Sequence, residues 1–312
     1  MRASGSILAN GYRCFLAVAE AGSIRAAARQ LNIVSSAVNR QILMLEEDLG
    51  IRLFDRVGRG LRLSEAGILL LRQVRDTVDR HEDLVAELDT LRGLRRGRVR
   101  IASVESIAAE RLPHLLAAFW RAYPGIETTL AVAGAEEVAR LIEDNGADVG
   151  FAFSTRPLPG MRVVHQESHA VGAVLAPGHR LAGAERLRLA DLAAEPLVLP
   201  ARGLSLRAAL DPALARLGRA VAVRAECDSL RLTAGLVRHS AAIGFMTRIG
   251  IEQELRTGDL AWVALADDDL LPDHLHVVAR DRAVPSLAVA ALGDFVEESW
   301  GRVARERSRP LI

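Results

Sequence analysis

Residues 21–49 read AGSIRAAARQLNIVSSAVNRQILMLEEDL, and this stretch decides the fold of the N-terminal region. Ser23, just after Gly22, has the chemistry of an N-cap, and a helix runs from it through Ala26, Ala27 and Ala28 to Leu31. The break at Asn32-Ile33 is short. Ser35 is expected to cap the next helix, whose buried stripe is Val38, Ile42, Leu45 and Leu49 at 4-3-4 spacing. One helix earlier, Phe15, Val18 and Ala19 share a face. With that stripe inward, Ser36, Asn39, Arg40 and Leu43 point outward. A helix that reads DNA needs short polar and basic side chains near its N-terminus. Asparagine can bond adenine bidentately, arginine can grip guanine or a phosphate, and serine suits either. Ser23, Arg25 and Ser35 complete the candidate set, because a helix N-terminus itself favours a phosphate. Any three-helix bundle with a polar face would share this generic spacing.

Downstream the period changes. Across residues 51–64, Ile51, Leu53, Leu61 and Leu63 sit beside Arg52, Arg56, Arg59 and Arg62, with Gly58 and Gly60 between them. This predicts a short hairpin with a basic, glycine-containing tip. Arg56 and Arg59 could neutralise a DNA backbone or enter its minor groove. From Ser64-Glu65 a long helix begins, and no proline follows until Pro113. Leu71, Val74, Val78, His81, Val85 and Leu88 follow a 3-4-3-4-3 spacing, the pattern of a coiled-coil seam. Arg72, Arg75, Asp76, Asp79, Glu82, Asp83 and Glu87 form a charged outer face, which suits a paired, solvated helix.

Gly93 to Gly97 reads as a linker. Beyond it, strand-like segments alternate with helical ones. The strands are 99–102, 128–132, 148–153, 170–175, 196–199, 242–245 and 275–279, with helices such as 115–121 and 136–143 between. Such alternation argues for α/β structure with mostly parallel sheets, arranged as two small lobes.

The residues themselves add more than the spacing does. Ala21 to Leu31, Ser36 to Ile42 and Leu45-Glu46 resemble the helix-turn-helix of LysR-type transcriptional regulators. Leu49-Gly50, Leu53 to Arg56 and Leu61 to Gly67 continue the resemblance in order. Gly97 to Ile101, Phe119 to Pro124 and Ala147 to Gly150 are similar to the first half of that family's effector domain. Asp228 to Leu230, Ala242 to Phe245 and Gly258 to Leu260 are similar to its second half. Asn39 departs from the family's usual serine, and Thr247 stands where proline often follows.

The resemblance implies an N-terminal all-α winged helix-turn-helix (residues 1–66) and a long linker, or dimerisation, helix (67–95). It also implies a C-terminal α/β two-lobed periplasmic-binding-protein-like domain (96–312). Lobe I would comprise 96–168 and 270–312, and lobe II 169–269. The expected partners are double-stranded promoter or operator DNA, a small-molecule effector, a second copy in a homodimer or homotetramer, and RNA polymerase. Inducers of this family bind between the lobes, at strand ends where helix N-termini present free N–H groups. Carried onto this chain, that points to Ser103, Glu105, Ser106, Gly134, Arg202, Ser205 and Thr247. Each serine could equally be a helix cap. Arg202 favours a carboxylate ligand, whereas Glu105 favours an amine or hydroxyl. A small organic acid is the expected effector.

Composition is compatible with this picture. The chain has 312 residues, 50% hydrophobic and 25% charged, with a net charge of only +1, so any nucleic-acid footprint is local. All of the basic charge is arginine. Two cysteines, Cys14 and Cys227, do not make a disulfide scaffold. No signal peptide or spanning segment is read, so the expected location is the cytoplasm and no membrane partner is expected. His165-Gln166-Glu167-Ser168-His169 lacks the glutamate that a metalloprotease helix places directly after its first histidine. The run Asp267, Asp268, Asp269, Asp273, His274 and His276 reads as a solvated loop. Cys227, between Glu226 and Asp228, reads as packed rather than redox-active. No catalytic constellation, cofactor fingerprint or metal site is found, so no enzyme, cofactor or metal is expected. A transport solute-binding protein would share the lobes but need export. An α/β enzyme fused to a helical domain would need catalytic groups.

Overall fold

The structure is a computed structural model that describes residues 9–57, 60–91, 96–154, 160–218, 220–281 and 285–307. The chain divides into two compact units, residues 1–97 with 144–146, and residues 98–143 with 147–312.

In the first unit α1 (Asn10–Ala21), α2 (Ile24–Leu31) and α3 (Ser35–Leu49) precede the hairpin β1 (Phe54–Val57) and β2 (Gly60–Leu63) and then α4 (Glu65–Leu91). Phe15, Val18, Ala27, Val38, Ile42 and Leu45 form one core with Leu53, Phe54 and Leu71. The Phe15 and Phe54 rings meet at 5.4 Å. Burying each large aliphatic or aromatic side chain contributes about 1.5–3 kcal/mol, so this small head is held mainly by apolar contact. Ser23 caps α2 as expected, its Oγ accepting from the Ala26 amide at 3.3 Å.

Three details differ from expectation. Ser35 is the first residue of α3 rather than its cap, and no side chain caps Val34 before it. Leu49 is 44% exposed and Ile51 53% exposed. The physical reason is Gly50, whose φ of 68° ends α3 one turn beyond Leu45 and swings the chain away from the core. Leu53 and Phe54 fill that space instead. Glu46 fixes the new direction, because its Oε1 accepts from the Leu53 amide at 2.7 Å and the Phe54 amide at 3.3 Å.

Ser64 starts α4 by donating to the Arg52 carbonyl at 2.8 Å and accepting from the Gly67 amide at 3.1 Å. At Gly67 the helix touches the preceding strand so closely that a Cβ would collide with the Leu53 carbonyl oxygen. Gly67→Ala is therefore expected to destabilise the head by about 1–3 kcal/mol, read as a lower urea midpoint in equilibrium unfolding. An unchanged midpoint would show that α4 can move aside freely. On the seam face, Leu71 belongs to the head core. Val78, His81 and Val85 are half-buried, and Leu84 and Leu88 are exposed.

The second unit contains three sheets among the described residues, with their helices. One comprises β3 (Gly97–Ser103), β4 (Ile126–Val132), β5 (Val149–Ser154), β6 (Met161–His169) and a late strand, Asp273–Arg280. Among them run α5 (Glu105–Ala109), α6 (Arg111–Ala122) and α7 (Ala135–Glu143). The other region contains β7 (Gly172–Leu175), β8 (Arg186–Leu187), α8 (Leu189–Leu192), β9 (Leu197–Pro200) and α9 (Ser205–Arg216). It continues through β10 (Val223–Cys227), α10 (Leu230–Arg238), β11 (Gly244–Met246), α11 (Glu252–Thr257) and β12 (Ala261–Leu265). The late strand is β13, followed by α12 (Leu287–Arg307).

The sheets are mixed rather than mostly parallel. In the order β4-β3-β5-β13-β6, β3 and β5 are parallel, but β13 is antiparallel to both its neighbours. Strand–helix alternation predicts parallel pairing only where a crossover helix returns the chain to the same end of the sheet. Here β13 re-enters after the whole second region, so that constraint does not apply to it. In the order β11-β7-β12-β8, β7 pairs antiparallel with both β11 and β12, while β12 and β8 are parallel. Strands β9 and β10 form a separate parallel pair.

Two main cores hold the unit, the second shared by β7, β9 and β11. Val99, Ile101, Phe119, Phe151, Leu275, Val277 and Trp300 pack together in one. Leu175, Leu197, Leu199, Leu210, Ile243 and Phe245 pack together in the other. Among the described residues, no helix is long and apolar enough to cross a membrane.

Candidate functional site

Packing determines which face of α3 is free. Val38, Ile42 and Leu45 are buried, so Ser35, Ser36, Asn39, Arg40 and Leu43 are left exposed. Within the described residues, no hydrogen bond or ion pair engages the side chains of Ser36, Asn39 or Arg40. The uncapped Val34 leaves the start of α3 open, where N–H groups and the helix dipole favour an anion. Arg25 is exposed on α2, whereas Ser23 is half-buried and occupied by its capping bond. Arg56 lies on β1, paired across the hairpin with Leu61, and the Leu61 amide donates to the Gly22 carbonyl at 3.1 Å. Arg59 lies outside the described residues, as does the side chain of Arg56.

The second unit holds a cavity of about 300 Å³ lined from both of its regions, by Glu105, Phe153 and Asp273 as well as Ser205, Ser229 and Thr247. Glu105, Ser106, Gly134, Ser205 and Thr247 all line it, as five of the seven expected effector residues. Ser103 is buried just behind it, its Oγ donating to the Val104 carbonyl at 3.1 Å. Arg202 is not in this cavity. It lines an adjoining opening of about 430 Å³ with Arg207 and Asp211, because the turn at Gly203 (φ 96°) precedes α9 and sets Arg202 apart from the helix start.

Glu105 links the two regions. Its carboxylate accepts from Ser229 Oγ at 3.0 Å and from the Leu230 amide at 2.8 Å, closing the N-terminus of α10. Gly250, at φ 87°, lets the backbone approach Ser106 so closely that a Cβ would lie 2.9 Å from its Cα. Thr247 Oγ1 accepts from the Ile249 amide at 3.3 Å.

The residue that sequence reasoning missed is Asp273. The pattern places it in a solvated loop, yet it opens β13, is only 1% exposed and lines the cavity. Ser205 Oγ donates to its Oδ2 at 2.9 Å. Burial pushes the Asp273 carboxyl up to about 7, against the lowering effect of hydrogen bonds from Ser205 and the His274 backbone. A signal was present, because Asp273 continues the period-2 face of Leu275, Val277 and Ala279. Two others of the acidic run have structural roles. Asp267 accepts from the Leu189 amide at 2.9 Å at the start of α8, and Asp269 pairs with Arg216.

The other motifs also resolve into packing. His165, Glu167 and His169 alternate along β6, so their side chains share one face. Glu167 accepts from His165 at 2.9 Å, lies 3.0 Å from His169 and pairs with Arg111 at 3.0 Å. Burial alone would raise the Glu167 carboxyl, but these partners carry it well below the usual carboxylate range. Cys14 and Cys227 are both buried free thiols, and burial pushes Cys14 up.

This geometry can be compared with known proteins. Residues 10–68 match the family model of bacterial regulatory helix-turn-helix proteins of the lysR family. Residues 92–301 match the LysR substrate binding domain. The chain belongs to the LysR family. This LysR-type chain is thus a DNA-binding transcriptional regulator with an effector-binding domain. It is 32% identical over 259 residues to an uncharacterized HTH-type transcriptional regulator of Mycobacterium tuberculosis, covering 80% of this chain and 83% of that one. It is 30% identical over 303 residues to the HTH-type transcriptional regulator CbbR of Rhizobium meliloti, covering 94% of each. Among solved structures, full-length CbnR complexed with its target DNA superposes with a TM-score of 0.63 at 22% identity, over 93% of this chain and 98% of that one.

Proposed function

We propose that this regulator reads an operator through Ser36, Asn39 and Arg40, supported by Ser35, Arg25 and the wing arginines Arg56 and Arg59. The observation that carries the reading is the exposed, unengaged polar strip at the open start of α3. We assign residues 1–66 to the DNA-binding head, 67–95 to the linker helix and 96–312 to the sensor. The apolar and half-buried residues late in α4, from His81 to Leu88, would pair with a second copy and so deliver two heads to adjacent half-sites. The assembly would be a homodimer or homotetramer that acts on promoter DNA in the cytoplasm and contacts RNA polymerase there.

The cavity lined by Glu105, Ser106, Gly134, Ser205, Thr247 and Asp273 would hold the effector. A ligand shifts the angle between lobes only by binding one arrangement better than the other. Glu105, which joins α5 to α10, is placed to feel that change. Arg202, the residue behind the expectation of an organic acid, lines the adjoining opening, which shares Phe153, Leu204 and Ser205 with this cavity.

A gel shift on the promoter next to the protein's own gene tests the DNA reading. Retardation that is sequence-selective and weakens with salt supports it, because phosphate neutralisation releases counterions. Retardation of any duplex alike would end it.

A further inference from the structure

Two residues that line the cavity of the second unit each carry a buried polar atom without a partner among the described residues. Asp273 Oδ1 and Ser106 Oγ have no hydrogen-bond partner among the described residues. Their residues are 1% and 3% exposed and line the same space. Buried polar groups are nearly always satisfied, so two unpartnered polar atoms on residues that line one cavity point to a partner from outside.

The charge of the wall sets the sign of the ligand. Among the described residues, Glu105, Asp228 and Asp273 are the ionisable ones lining the cavity, and no arginine or histidine lines it. Of these, Glu105 is already occupied by Ser229 and the Leu230 amide. In the adjoining opening Arg207 is engaged by Asp211 at 2.6 Å and Glu226 at 3.2 Å, while Arg202 lines that opening and not the wall that carries Asp273 and Ser106. The remainder of the cavity wall is largely apolar, including Val132, Phe153 and Leu206. A carboxylate entering this space would meet like charge and no cation among the described lining residues. A hydroxyl would bring a single proton and leave the carboxylate's charge unpaired. An ammonium brings three donors and the opposite charge.

We propose that the cavity takes an effector carrying a protonated amine, whose N–H groups go to Asp273 Oδ1 and Ser106 Oγ while its hydrocarbon part lies against Val132, Phe153 and Leu206. The proposal rests on the sensor reading given above. It accounts for a carboxyl that burial pushes upward being kept in this wall, because a bound cation would restore its ionised form.

Calorimetric titration of the full-length protein with n-butylamine, n-butyrate and n-butanol tests it. Butylamine is expected to bind most tightly. Asp273→Asn is expected to weaken that binding by about thirtyfold or more, since the amine would lose a buried charge partner. Ser106→Ala, a smaller change that keeps the fold, should weaken it about fivefold. Tighter binding of butyrate, equal binding of butanol, binding of none of the three, or Asp273→Asn binding that matches the wild type would each overturn the proposal. A parallel gel shift separates the two readings. Bound butylamine that leaves retardation unchanged ends the sensor role and keeps the ligand class. Retardation that responds only to butyrate keeps the sensor role and ends the ligand class.

Discussion

Replacing Asn39 and Arg40 together by alanine is expected to weaken operator binding by ~2–6 kcal/mol, since each good base contact contributes about 1–3 kcal/mol of discrimination. Both side chains stand exposed on α3, opposite the buried Val38, Ile42 and Leu45. Their loss should therefore leave folding within about 0.5 kcal/mol of the wild type, as is usual for surface positions. Alanine also has the better helix propensity, so α3 itself gains slightly. Fluorescence anisotropy on the footprinted operator, set beside a scrambled duplex, reads the effect. The specific site should lose far more affinity than the scrambled one. Arg40→Lys refines the result, because lysine keeps the charge but loses the planar fork that grips guanine or a phosphate bidentately. If the double variant binds the operator as tightly as the wild type, the strip is not the reading surface.

Asp273→Asn should stabilise the protein at alkaline pH and make no difference at acid pH. The Asp273 carboxyl is raised from 3.8 to about 7 in the folded chain, chiefly by burial. Below the unfolded value both states hold the proton, and the group costs nothing. Between about 4 and 7 folding takes up a proton, so stability falls as the pH rises through this window. Above 7 the folded protein bears a buried charge. The full penalty is then on the order of 4 kcal/mol, since each tenfold change in proton affinity corresponds to roughly 1.4 kcal/mol. Asparagine keeps an oxygen for the Ser205 hydroxyl and removes the charge. The unfolding free energies of variant and wild type should thus converge below pH 4 and separate steadily up to pH 8. A constant difference across that range would show that Asp273 does not titrate within it. A destabilising charge retained at a cavity wall is what a binding role would require, which joins this result to the amine proposal.

The helical head was legible because helix signals are local. Ser23 after Gly22, Ser64 before Glu65, and the Val38-Ile42-Leu45 stripe lie within a few turns of each other. The structure places each of them in the expected role. Leu49 failed the same logic because its exposure is decided by where Gly50 turns the chain, not by the spacing of the stripe. Glu46 could not be read as the residue that docks the wing, since its partners at Leu53 and Phe54 are reached only after that turn. In the sensor, five of the seven expected residues meet at one cavity. Strand ends and helix starts are visible in sequence, and an α/β sheet gathers them at one edge. Arg202 lines the adjoining opening instead, because Gly203 and Leu204 separate it from the start of α9.

By itself the sequence determined the family, the head's helices and the polar face they expose, because hydrophobic period and capping act between near neighbours. Only the tertiary structure decided the antiparallel return of β13 and, with it, the delivery of Asp273 to the cavity. That strand is paired with residues more than a hundred positions earlier in the chain. The burial of one carboxylate among partners so distant depends on how the lobes close around it, and no local pattern records that.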